Sequence, residues 1–175
     1  GQTGAGMTMG KGAILSGSLG QKCNTKSSTE TEIVGIDQYL PTVLWSKYFV
    51  EAQGYTIDHT IIHQDNESTI RLLVNGPLSS SKRTKHIKAK YYLAKDYSDK
   101  GDIKFSYLPT DKMWIDMHTK PKQGTPFRTD RAKLMNCPIN YDDDTGRANT
   151  HPSLLPESGV QTSAIGRPKT PNHHG

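Results

Sequence analysis

The chain has 175 residues, a formal net charge of +5, and a hydrophobic share of 33%, below the roughly 45–50% of an average globular domain. That length supports one domain, and the low apolar share leaves part of the chain outside any core. No apolar run approaches the ~20 residues of a membrane span. Two distant cysteines, Cys23 and Cys137, give neither a disulfide framework nor metal-ligand spacing, so a soluble, intracellular protein with a polyanionic partner is expected.

The first stretch, Thr3 to Met9, alternates, with Ala5, Met7 and Met9 on one side. Gly10-Lys11-Gly12 turns and Ala13 to Ser16 returns, which predicts a β-hairpin. Gly1-Gln2-Thr3-Gly4-Ala5-Gly6 follows no strand and opens no helix, so its glycines belong to the hairpin and not to a phosphate loop. Ser27, Ser28 and Thr29 are N-cap candidates for a long helix. Ile33, Ile36 and Leu40 recur at helical spacing, as do Leu44, Tyr48 and Phe49 beyond Pro41, where a kink or restart is expected. Gly54 ends the helix. By themselves Glu30 and Glu32 are charges that complement the helix dipole.

Ile57 to Gln64 predicts a strand ending at Asp65, which puts a carboxylate at the sheet edge where open α/β folds build their sites. His59 and His63, four apart on a strand, stand too far apart to share one ion and are expected at the surface. Asn66 or Ser68 caps a short helix over Glu67 to Val74, closed by Asn75-Gly76. The basic stretch Ser79 to His86 is either a solvated loop or a phosphate-contacting surface. Helical spacing resumes at Ile87, Tyr91, Leu93 and Ala94 towards Tyr97, and Gly101 ends it. Asp102 to Leu108 alternates as a half-buried strand closed by Pro109. Asp116 follows in a short loop or helix start, and Phe127 to Met135 is a last helix. Past Cys137 the prolines are scattered through Gly, Ser, Thr and Asn. Residues 137–175 are therefore expected to be a disordered tail, with Asp142-Asp143-Asp144 and His173-His174 solvated.

Hairpin, long helix, strand, helices, strand and helix, with acids at the helix start, a strand end and after the last strand, resemble the ribonuclease H fold. The motifs sharpen the resemblance. Ser27-Ser28-Thr29-Glu30-Thr31-Glu32 is similar to the serine-rich "SSTEAE" signature of copia-type retrotransposon polyproteins. Gln64-Asp65-Asn66-Glu67-Ser68 resembles their "DNxS" motif and Arg83-Thr84-Lys85-His86-Ile87 their "RTKHI". Tyr107-Leu108-Pro109-Thr110, then Ile115-Asp116 and Thr119-Lys120-Pro121, resemble the closing "Y-x-P-T … A-D-x-x-T-K-P". Each is short, but they stand in the same order and spacing over residues 1–135. The stretch 1–136 is therefore identified as similar to the ribonuclease H region of a copia-type Pol polyprotein.

The resemblance implies an α/β fold with a mixed sheet flanked by helices. It also implies a two-metal site, with Mg²⁺ or Mn²⁺ as cofactor, in which Glu32, Asp65 and Asp116 are three of four carboxylates. The substrate implied is an RNA–DNA hybrid cut in its RNA strand, with the reverse transcriptase part of the same polyprotein as partner. The compartment implied is the cytoplasm, a virus-like particle or the nucleus. Lys82, Arg83 and Lys85 would track the hybrid backbone. His86 would assist product release or proton transfer, or cap the following helix. In the family the first carboxylate lies on a central strand ahead of the hairpin, between it and the Ile57–Gln64 strand. This chain opens at the hairpin, so that strand is expected to be missing and the chain inactive or weak. Trp114-Ile115 stands where the family often has a small residue, and is expected to crowd the metal. The alternatives are a non-catalytic nucleic-acid-binding remnant of such a domain, or an integrase- or transposase-like nuclease on the same fold.

Overall fold

A computed structural model describes residues 1–75, 85–137 and 159–165, for 85–88 and 159–165 in backbone only. The chain runs β1 (Gln2–Thr8), β2 (Ala13–Gly20), α1 (Ser28–Ala52), β3 (Thr60–Gln64), α2 (Glu67–Asn75), α3 (Lys85–Asp99) and β4 (Ile103–Tyr107). Two 3₁₀ turns, Thr110–Lys112 and Trp114–His118, then lead to α4 (Gly124–Met135) and β5 (Gly159–Ile165). The fold is mixed α/β.

Local chemistry sets most of these boundaries. Ser27 caps α1 by accepting from the Glu30 backbone N–H at 3.2 Å, and the Glu30 carboxylate reaches back to the Lys26 N–H at 2.7 Å. This reciprocal arrangement satisfies donors that a helix start leaves open. Asn66 Oδ1 accepts from the Thr69 N–H at 3.1 Å and so caps α2, as the sequence predicts. Gly54, at φ +88°, ends α1 in a conformation that costs glycine nothing. Pro41 neither kinks nor restarts the helix strongly enough to divide it: α1 is continuous, with Pro41 inside and on the exposed side. Tyr48 and Phe49 do not extend the core stripe either. Both are about half exposed, and Phe49 stacks on Trp45 at 5.1 Å, while Val43 and Leu44 face inward.

One five-stranded sheet runs in the order β2-β1-β5-β3-β4. β1 pairs antiparallel with β2 and with β5, and β3 pairs parallel with β4 and with β5. β1 is interior, so Thr3 to Thr8 are all buried, and Met9 lies beyond the strand, half exposed. Successive residues of a strand point to opposite faces. Met7 joins Ile33, Ile36, Leu40, Ile62 and Ile103 in the core under α1. Gly4 and Gly6 turn to the other face, where Met113, Trp114 and Ile115 form a second cluster with Ala13, Leu108 and Leu134 packed against it.

Two expectations are corrected here. The tail is not without structure throughout, because Gly159–Ile165 is a strand, and it takes the place between the hairpin and β3 where a strand was expected to be missing. Its sequence, GVQTSAI, has little apolar bulk, so backbone pairing with two neighbours, invisible in a local pattern, makes it a strand. His63 is not at the surface. It sits on an interior part of β3 and is 8% exposed, because β4 and β5 flank that strand on both sides. The remaining expectations for the tail, including Asp142-Asp143-Asp144 and His173-His174, lie outside the described residues.

Candidate functional site

The polar end of β3 joins the sequence motifs to one another. Gln64 is wholly buried, with 0% exposure. Its Nε2 donates to Glu32 Oε2 at 3.0 Å, and its Oε1 accepts from the backbone N–H groups of Asp65 at 2.8 Å and Asn66 at 3.2 Å. Glu32, in the second turn of α1, is 5% exposed. It therefore does not serve as the solvated charge at a helix start, a part Glu30 takes instead. Two positions along a helix are about 200° apart around its axis, so the helix turns Glu30 outward and Glu32 onto the sheet.

Asp65 leaves the strand at its C-terminal edge, and its Oδ2 accepts from the Thr110 hydroxyl at 2.8 Å. The Leu108 N–H donates to the Gln64 carbonyl at 3.0 Å, which brings the end of β4 beside Asp65. The stretch Tyr107-Leu108-Pro109-Thr110 is thus held against Gln64-Asp65-Asn66. Pro109 stands just before the first 3₁₀ turn and aims Thr110 at the carboxylate.

Asp116 lies in the second 3₁₀ turn, 3% exposed, and its own motif folds back on it. Lys120 Nζ stands 2.8 Å from Asp116 Oδ2, and the Lys120 N–H donates to the Asp116 carbonyl at 2.8 Å. Thr119 adds a hydroxyl bond to the same carbonyl at 3.3 Å. A buried carboxylate needs such donors, since desolvation of the charge costs several kcal/mol if it is left uncompensated.

Glu32 and Asp65 are therefore brought to one sheet end through Gln64, and Asp116 is held by Lys120. As donors, three carboxylates suit a hard divalent cation, which takes oxygen ligands. Among the described residues, however, no group of three or more His, Cys, Asp or Glu side chains stands together closely enough to hold a metal ion. The strand between the two halves, GVQTSAI, brings no carboxylate. By kind the donor set fits the cation, and by number it falls short of a closed site. Trp114, in the same turn as Asp116, is 0% exposed and packs beneath Gly6, on the face opposite α1. Lys82 and Arg83 lie outside the described residues. Lys85 and His86 open α3, and their side chains are likewise outside the description.

Two residues given no site role of their own in the sequence reading shape the site. Gln64 is one; the only signal for it was a polar residue closing an apolar strand. The other is His118, whose Nε2 shares a 2.6 Å hydrogen bond with Ser16 Oγ, while its carbonyl accepts from Ser18 Oγ at 2.7 Å. These bonds tie the turn carrying Asp116 to β2. Burial lowers the His118 pKa from its ordinary value of 6.5. Below about pH 6.5 the unfolded chain takes up a proton that the folded one resists, so stability is lost as pH falls through that region. His118→Asn is expected to flatten this part of the stability–pH curve, read as the difference in melting temperature between variant and parent from about pH 8 to 5. Parallel curves would remove His118 from the account.

No helix among the described residues is long and apolar enough to cross a membrane. No protein-family model matches the chain, and no solved structure matches it.

Proposed function

We propose that the chain is the ribonuclease H-like domain of a copia-type retrotransposon Pol polyprotein, a domain for RNA–DNA hybrids whose catalytic carboxylates are incomplete in this arrangement. One observation carries the reading. The stretches similar to the family's separate motifs are hydrogen-bonded to each other, Glu32 to Gln64 at 3.0 Å and Asp65 to Thr110 at 2.8 Å. Short words shared by chance have no reason to meet in space. The alternation of an antiparallel hairpin with a parallel β3–β4 pair, joined through α1, also agrees with a ribonuclease H-like sheet.

In this reading Glu32, Asp65 and Asp116 would be the residues to hold Mg²⁺ or Mn²⁺, completed by a carboxylate that the central strand does not bring. When bound, the ions would stabilise charge developing on the scissile phosphate and lower the pKa of the attacking water. The chain's own residues orient the ligands. Gln64 fixes the Glu32 carboxylate, Thr110 fixes Asp65, and Lys120 pairs with Asp116. Lys82, Arg83, Lys85 and His86 are proposed to meet the sugar–phosphate backbone, with affinity that falls as salt rises. Choice of RNA over DNA at the cut would rest on the 2′-hydroxyl. The proposed partner is the reverse transcriptase portion of the same polyprotein, and the proposed compartment is the cytoplasm, a virus-like particle or the nucleus.

A non-catalytic remnant that only binds hybrid is the second reading, favoured by the acid-free central strand and by the lack of a three-acid group among the described residues. One assay separates the outcomes. The purified chain in Mg²⁺ is expected to bind a labelled RNA–DNA hybrid in a salt-dependent way while cleaving it no faster than buffer. Cleavage abolished by Asp65→Asn would overturn the inactivity and leave the family reading standing. Failure to bind hybrid at low salt would overturn the family reading.

A further inference from the structure

The sheet is assembled from two ladders that have no pairing of their own. β1 with β2 forms one and β3 with β4 the other, and among the described residues β5 alone joins them. Yet β5 comes last in the described sequence. We infer that the space between β1 and β3 is a strand-acceptor slot, filled in cis by Gly159–Ile165 and open to an extended segment supplied in trans. The inference rests on the sheet topology, independent of the nuclease reading.

Several observations point the same way. The register of β5 on β1 is complete, from Gln2 opposite Ile165 to Thr8 opposite Gly159. Among the described residues its pairing on β3 joins Ile62 with Val160 and His63 with Gln161. Opposite the middle of β5 stand Gly4, Ala5 and Gly6, which offer almost no side chain to interlock. Recognition at such a place is carried by main-chain hydrogen bonds, as in other cases of strand addition.

The partner this slot fits is an extended segment of about seven small residues, antiparallel to β1 and parallel to β3. Positions 161–163 of the present strand lie opposite Gly4 to Gly6, with α1, which carries Glu32, packed on β5 and the turn carrying Asp116 beside it.

The tethered strand competes at an effective concentration on the order of millimolar, so the test removes the tether. A protease site placed within 141–150 of the full chain is cleaved after folding. A fluorescent peptide of sequence GVQTSAI with a soluble tail is then added. Saturable one-to-one incorporation, with the cleaved fragment released, is the expected result. A second variant, Thr162→Pro in the uncut chain, loses a ladder N–H. It is expected to bind the peptide at least about tenfold more tightly than the uncut parent does, with faster amide exchange at Gly6 and His63, opposite Gln161 of β5, until peptide is added. Failure of the peptide to enter the cleaved chain would overturn the proposal whether or not Thr162→Pro folds, and so would unchanged exchange at Gly6 and His63 in a folded Thr162→Pro chain.

Discussion

Trp114→Ala is expected to destabilise the fold by about 3–5 kcal/mol, as deletion of a fully buried tryptophan does elsewhere. At this chain length that corresponds to a melting temperature lower by roughly 6–20 °C. The reason lies in how the second core is built. Trp114 has 0% exposure and fills the space left by a missing side chain. A Cβ on Gly6 would collide with Trp114 Cη2, come within 2.6 Å of Cζ3 and lie 2.9 Å from Ile115 Cδ1. The indole and the glycine are complementary halves of one contact. Gly6→Ala alone is therefore expected to cost about 1–3 kcal/mol by overpacking. In the Trp114→Ala background that cost should largely vanish, because the added methyl enters the cavity. Thermal or urea unfolding of the four chains gives the coupling directly. Strictly additive effects would mean that the two residues do not share a contact.

Gln64→Leu is expected to cost about 2–5 kcal/mol. It keeps the approximate volume but removes the donor to Glu32 and the acceptor for the Asp65 and Asn66 N–H groups. Each buried polar group left unpaired costs about 1–3 kcal/mol, and the losses within one network are not additive. The variant should also loosen the strand end, visible as faster amide exchange at Asp65 and Asn66. Gln64→Glu separates charge from shape. Placed beside the buried Glu32, a second carboxylate raises the pair's folded pKa above the unfolded value of about 4.3. Stability then survives at acid pH and is lost as pH rises through that raised value. Gln64→Glu should accordingly lie closer to the parent near pH 4 than at neutrality. A loss independent of pH would mean that Glu32 is not the neighbour that matters.

How much of this was readable beforehand depends on the range of the interaction that decides it. The start of α1 was legible because Ser27 and Glu30 satisfy each other's neighbourhood within one turn. The cap of α2 was legible for the same reason, as Asn66 bonds Thr69. β4 was legible as a strand from its alternation, which the structure keeps only at its start, where Ile103 is buried and Lys104 exposed, whereas Tyr107 on the same side as Ile103 is about half exposed. The three acids could be chosen from the chain through motif resemblance, and Glu32 and Asp65 do reach one end of β3.

The sequence by itself determined the local elements, their order and the acidic positions, since caps, turns and periodicity act over a few residues. Tertiary structure alone decided which side each element shows. Glu32 and not Glu30 turns inward, Trp114 packs under Gly6, and His63 is enclosed because strands flank it on both sides. It also decided that Gly159–Ile165 is a strand at all. A short run with little apolar bulk has no local preference strong enough to declare itself, and the backbone groups of β1 and β3, which flank it and lie about a hundred or more residues away along the chain, give it a reason to extend.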